Sequence, residues 1–138
     1  MDAARKEKAL ALLDAQKNAE ALALYGLEVK EAAVDANVEV CGLNDSQFGP
    51  AVSVGLGGSY KAIAKELVVG VGYVSEEEAA SLVTRSKANA ILSADETTAL
   101  AKTVCAVSAA MCELQERVLQ IKVQLTAGQP LSAEIKLK

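Results

Sequence analysis

Apolar positions recur along this chain in two rhythms, one of three and four residues and one of two, and the switches between them divide it into helices and strands. From Ala3 to about Leu24 strong helix formers dominate, with Leu10, Leu13, Leu22 and Leu24 among alanines and charges, and a break or bend is expected at Gly26. From Asn37 to Leu43, Val38 and Val40 alternate with Glu39 and Cys41, as in a half-buried strand, and Asn44, Asp45 and Ser46 supply turn chemistry. Ala51 to Leu56 repeats the alternation through Val52, Val54 and Leu56, so the two segments predict a β-hairpin whose longish loop holds Gly49 and Pro50. Tyr60 to Glu66 is open between a short helix and a further strand.

Leu67 to Val74 is apolar on both faces and carries Gly70 and Gly72, which predicts a central strand with close backbone packing on one side. Ser75 followed by Glu76, Glu77 and Glu78 is a capping-box signal opening a helix to about Leu92, and Ser93 to Glu96 repeats it. The second of these helices is expected to be the longest, reaching about Thr126 before Gly128 and Pro130 stop it. Leu131, Ala133, Ile135 and Leu137 then alternate with Ser132, Glu134, Lys136 and Lys138, an amphipathic strand with lysines outward, suited to a sheet edge. The fold class is therefore α+β: a small antiparallel sheet of three to five strands covered by helices, with a long C-terminal helix followed by an edge strand. Residues 1–138 read as one domain, with the alanine-rich N-terminal helix, about 3–25, able to extend from it.

Half of the 138 residues are apolar (51%) but only 3% are aromatic, so the core must be built from Ala, Val, Leu and Ile. A formal charge of -4 with both signs interspersed argues against a grip on nucleic acid or anionic lipid. No apolar run approaches the ~20 residues of a membrane span, and the charged N-terminus lacks a secretory cleavage pattern, so cytoplasmic synthesis is expected. Cys41, Cys105 and Cys112 form no Cys-x-x-Cys pair and the chain has no histidine, so no metal or other cofactor is expected and the thiols read as reduced.

The most regular constellation is Leu100, Val104, Val107, Met111, Leu114, Val118, Ile121 and Leu125, spaced alternately four and three apart. Such a stripe lies either on the sheet of its own domain or against a helix of another copy. The glycines Gly55, Gly57, Gly58, Gly70 and Gly72 mark close packing. Gly55 to Ser59 with Lys61 looks like a phosphate cradle, yet its spacing matches no nucleotide-binding glycine motif, and a tight turn accounts for it better. Glu76 to Glu78 are explained by the helix macrodipole. Asp45 and Ser46 with Lys61 or Lys65 could be drawn as acid, nucleophile and base, but without histidine or a recognisable motif they carry no hydrolase assignment.

Two resemblances accompany this reading. Asn37-Val38-Glu39-Val40-Cys41-Gly42, then Gly49, Val52, Val54 and Gly58 to Ile63, resembles the central strands and second helix of a bacterial microcompartment shell domain, which implies hexameric tiling. The first strand of that pattern is missing and the long C-terminal helix has no counterpart in it. Val52 to Gly58 with Val69 to Tyr73 is similar to the strands of trimeric autotransporter anchors, which end at the barrel where helices follow here. Neither family is adopted. The function read from the residues is a non-enzymatic structural or assembly subunit. Its partner would be itself, as a trimer or larger homo-oligomer, or a larger protein shell such as a phage virion with a capsid decoration or connector role. The alternative is a small ligand-binding or regulatory module using the turn from Gly57 to Tyr60.

Overall fold

Alternation of β-branched and polar residues produces the first hairpin, β1 (Val38–Asp45) and β2 (Gly49–Leu56), paired in register from Val38 opposite Leu56 to Asp45 opposite Gly49. A computed structural model describes residues 3–27, 37–45, 47, 49–56, 68–86, 92–126 and 129–138. Gly49 takes φ +77, which a side chain rarely adopts, so the hairpin turns there and Pro50 already belongs to β2. The connection is shorter than the alternation alone suggests. β3 (Val68–Val71) pairs with β2, and β4 (Val118–Thr126) and β5 (Gln129–Leu137) form a second hairpin alongside β1. The result is an antiparallel sheet of five strands in the order β3-β2-β1-β4-β5. The expected α+β fold is the observed one.

Helices close one face of this sheet. α3 (Glu76–Arg85) starts at Ser75, whose hydroxyl accepts from the Glu78 N–H at 3.2 Å, and stops at Arg85, well before Leu92. α4 (Ala94–Glu113) starts with a full capping box, Ser93 and Glu96 each bonding the other's backbone N–H. Beneath the helices the buried side chains of β1, β2 and β4 converge: Val38 and Val40, Val52, Val54 and Leu56, and Ile121, Val123 and Leu125. Leu100, Val104, Val107 and Met111 of α4 are fully buried in the same core. Contact is close because β1 carries Gly42 there: a Cβ at that position would lie 2.9 Å from Val107 Cγ1 and 2.8 Å from Met111 Sδ. Sequence reading did not single out Gly42.

The helix expected to run to Thr126 ends at Glu113. Leu114 caps it, its N–H donating to Ala110 O at 2.9 Å, and the chain turns at once into β4. Val118, Ile121 and Leu125 therefore bury from a strand, although they continue the three-four spacing of the helix. All eight residues of the stripe are covered by the chain's own core. Leu119 to Leu125 also alternates strictly, with Gln120, Lys122 and Gln124 outward, and two β-branched residues inside favour the strand.

β3 is an edge strand, not a central one, and Val69 and Val71 are 54% and 62% exposed on the side away from the helices. On the helix side, a Cβ at Gly70 would meet Leu82 and Val74 at 2.9 Å, the close approach expected of it. Gly72 is glycine for another reason: space around it is open, but its φ is +76. Its N–H donates to Pro50 O at 2.8 Å, and its carbonyl accepts from Ser108 Oγ at 3.2 Å. Ser108, buried on α4, in turn accepts from the Val74 N–H at 2.7 Å, which fixes where α3 begins. Gly55 lies in β2 opposite Glu39. Gly57 and Gly58 lie outside the described residues, as do Ser46, Tyr60, Lys61, Lys65 and Gly128.

The N-terminal segment is two helices, α1 (Ala3–Asp14) and α2 (Asn18–Ala23), rather than one. α1 ends where Lys17 N–H reaches Leu12 O at 2.8 Å and Gln16 N–H reaches Leu13 O at 3.0 Å, a Schellman pair with Gln16 at φ 62. α2 ends in the same way, Leu27 N–H to Leu22 O and Gly26 N–H to Ala23 O, with Gly26 at φ +82. Ion pairs hold this unit to the α4–β4 turn: Arg5 with Glu113, Lys6 with Glu116, and Asp14 with Arg117 at 2.8 Å. Arg5 also lies 4.7 Å from the centroid of Tyr25.

Gly42→Ala is expected to destabilise the fold by about 1–3 kcal/mol through overpacking against Met111. Gln16→Gly should stabilise it by about 0.5–1 kcal/mol by removing the left-handed strain. Urea unfolding measures both, and shifts of the opposite sign would contradict the assigned backbone geometry.

Candidate functional site

Because helices cover one face of the sheet, every second residue of its central strands points to the other. On β1 these are Glu39, Cys41, Leu43 and Asp45, on β2 Ala51, Ser53 and Gly55, and on β4 Gln120, Lys122 and Gln124. The register sets Glu39 beside Gln124, Cys41 beside Lys122, and Leu43 beside Gln120. Lys122 Nζ reaches diagonally to Glu39 Oε1 at 3.3 Å, and Gln120 Nε2 donates to Cys41 Sγ at 3.2 Å. Glu39 is only 8% exposed, whereas the Lys122 side chain is 38% exposed. A carboxylate buried to that degree needs a counter-charge, and Lys122 provides it. An ammonium group carries three donors, so contact with Glu39 leaves N–H groups for a further anion.

Two oxygens near this patch are incompletely served. Gln124 Oε1 and Asn37 Oδ1 are buried without a hydrogen-bond partner among the described residues. Each such acceptor costs about 1–3 kcal/mol until a donor meets it. The patch thus holds the accessible ammonium of Lys122, with exposed Lys136 of β5 beside Gln120 on the same side, and two buried acceptors. It grades into the exposed apolar side chains Leu43, Val69 and Val71 toward the β3 edge.

A second concave feature lies on the helix side. This groove of about 520 Å³ is lined by Arg5, Tyr25, Tyr73, Glu76, Lys102 and Cys105 over a floor of alanines on α4. The Tyr73 hydroxyl sits 3.8 Å from Cys105 Sγ, and that hydrogen bond, with the thiol's charge, raises the Tyr73 phenol above its usual range. Asp45, drawn from sequence as an acid, instead accepts the Gln47 N–H at 2.7 Å and shapes the β1–β2 turn. Glu77 and Glu78 are exposed in the first turn of α3, where the macrodipole accounts for them. Sequence reading missed Glu39, Lys122 and Gln124 as a group, since they come from strands about 80 positions apart and one of those strands was assigned to a helix.

Residues 2–125 match the ATP-grasp domain family. The chain belongs to that family. Among solved structures this ATP-grasp chain is similar to PH1788 from Pyrococcus horikoshii OT3, at 22% identity and a TM-score of 0.63, covering 80% of this chain and 50% of that one. Ca. Korarchaeum cryptofilum acetyl-coenzyme A synthetase 1, in complex with coenzyme A and Mg-AMPPCP, gives 22% identity and a TM-score of 0.62 over 78% of this chain and 55% of that one. The same enzyme with coenzyme A, acetyl-coenzyme A and a phosphorylated phosphohistidine segment gives 20% and 0.64 over 89% and 65%. These likenesses concern the fold, and the ATP-grasp chain spans roughly half to two thirds of each neighbour's length. No curated protein matches it in sequence.

The family overturns the assignment to a non-enzymatic assembly subunit, and with it the virion role and the homo-oligomeric partner. The physical reason is plain: the apolar stripe that suggested a second copy is spent inside the chain. Both resemblances, to shell tiles and to autotransporter anchors, give way to the ATP-grasp match as well. Among the described residues no helix is long and apolar enough to cross a membrane.

Burial, with the Glu113 carboxylate adding to it, pushes the Cys112 thiol up from its ordinary value. Since the thiolate is the reactive form, Cys112 should be the last of the three cysteines alkylated by iodoacetamide near pH 8, as peptide mass spectrometry reads directly. Alkylation of Cys112 ahead of Cys41 would contradict the packing around α4.

Proposed function

We propose that this chain is the nucleotide-handling part of an ATP-grasp enzyme of the acetyl-coenzyme A synthetase type, and that the sheet face opposite α4, centred on Lys122, receives the phosphates of a nucleoside polyphosphate. The observation that carries the reading is family membership across most of the chain, joined to a sheet face bearing an accessible ammonium. The chemistry of the patch suits such a ligand, since Lys122 offers N–H groups to phosphate oxygens.

The contributions of the chain are then binding and orientation. Glu39 holds Lys122 in place on a rigid strand, Cys41 and Gln120 brace the neighbouring positions, and the core under Gly42 keeps β1 and β4 in register. The Korarchaeum neighbour carries a phosphohistidine segment. This chain has no histidine, so a phosphoryl carrier of that kind would reach it from a different segment or subunit.

Saturating AMPPCP should raise the thermal midpoint of the chain, with ~2.7 kcal/mol of stabilisation at a hundredfold excess over Kd, while adenosine at the same concentration should do much less. Differential scanning fluorimetry reads the difference. No shift with AMPPCP, or equal shifts with both, would remove the polyphosphate reading.

A further inference from the structure

The groove on the helix side takes no part in the phosphate binding proposed above, and its lining suits a ligand of another kind. Its floor is one face of α4, where Ala99, Lys102, Ala106 and Ala109 follow at steps of three and four residues and so stand in a single row. Three of these four are alanines, which leaves room above the helix over roughly 15 Å of its length. The walls come from the link between β3 and α3, with Tyr73 and Glu76, and from the N-terminal segment, with Arg5 and Tyr25. At about 520 Å³ the groove falls within the ~300–1,000 Å³ of small-molecule sites.

Among the described residues three charged side chains line it, and one is already matched. Arg5 pairs with the Glu113 carboxylate, which is 3% exposed, and lies over the Tyr25 ring. Lys102 and Glu76 are exposed, and among the described residues neither takes part in an ion pair. One ammonium and one carboxylate of the same groove are therefore open to a ligand. An anion gains from Lys102 but is opposed by Glu76, and a cation meets the reverse, so the ligand whose charges are both answered is a zwitterion. The rest of the lining selects its body: the alanine floor and the Tyr73 side chain, 54% exposed, offer apolar and aromatic surface to a flat ring.

We infer that this groove is a binding site for a zwitterionic α-amino acid with an aromatic side chain, its carboxylate on Lys102, its ammonium on Glu76 and its ring over the alanine floor beside Tyr73. α4 and the sheet lie between this site and Lys122, so the two sites fill independently.

The chain contains no tryptophan, so L-tryptophan serves as its own fluorescent probe, read by anisotropy as the full chain is titrated in. Tryptamine lacks the carboxylate and indole-3-propionate lacks the ammonium, and each is expected to bind about tenfold more weakly. Lys102→Gln should weaken L-tryptophan about tenfold and leave tryptamine within about twofold, whereas Glu76→Gln should weaken L-tryptophan and spare indole-3-propionate. Both side chains are exposed, and circular dichroism confirms that each variant is folded. Saturating AMPPCP should leave L-tryptophan bound. Anisotropy that stays flat up to about 1 mM chain would overturn the site. A folded variant that weakens all three probes alike, or none, would overturn the assignment of the two charges, and displacement of L-tryptophan by AMPPCP would overturn the separation of the groove from the nucleotide face.

Discussion

Contact between α4 and the centre of the sheet is the constraint on which the rest of this structure depends. Val107 and Met111 sit on the bare backbone of Gly42, and that approach brings the helix down over β1 and β2 with Ile121, Val123 and Leu125 buried beside it. With almost no aromatic side chains, the core draws its stability from the number and closeness of aliphatic contacts. A sheet closed on one face by helices has an inward row that must be apolar and an outward row released from that demand. Glu39, Lys122 and Gln124 can exist at the middle of the sheet only because they belong to the second row.

The same division explains which parts of the fold were legible in the sequence. Strict alternation marked β1, β2 and β5, and the Ser93 to Glu96 capping box marked the start of α4, because those signals are local. The end of α4 was not legible. Val118, Ile121 and Leu125 satisfy a helical rhythm and a strand rhythm at once, and no glycine or proline separates Glu113 from Val118. The outcome was decided by a partner far away in sequence, since β1 had an open edge whose pairing with β4 buries those three residues. Likewise the valines of β3 gave no hint that their strand would lie at the edge, which depends on the order of the whole sheet.

The candidate site was hidden for the same reason. None of its residues belongs to a motif, and Lys122 looked like an outward charge on a helix until β4 was set beside β1. Once it is, one ion pair defines the character of the face: a buried acid, an accessible ammonium, and amides with unused acceptors. The ATP-grasp family match is what makes this arrangement a candidate for the phosphate ligand proposed above. It also makes sense of the N-terminal helices, which ion pairs fasten to the α4–β4 turn that leads into the strand bearing Lys122.

Whether ligand meets the chain on the sheet face opposite α4 is settled most directly by amide chemical-shift mapping in a uniformly labelled sample titrated with AMPPCP. The account predicts that the largest changes fall on β1 and β4 around Glu39, Cys41, Lys122 and Gln124, with the buried side of α4 nearly still. Changes concentrated instead along the groove between Tyr25, Tyr73 and Lys102, with β4 unmoved, would contradict it.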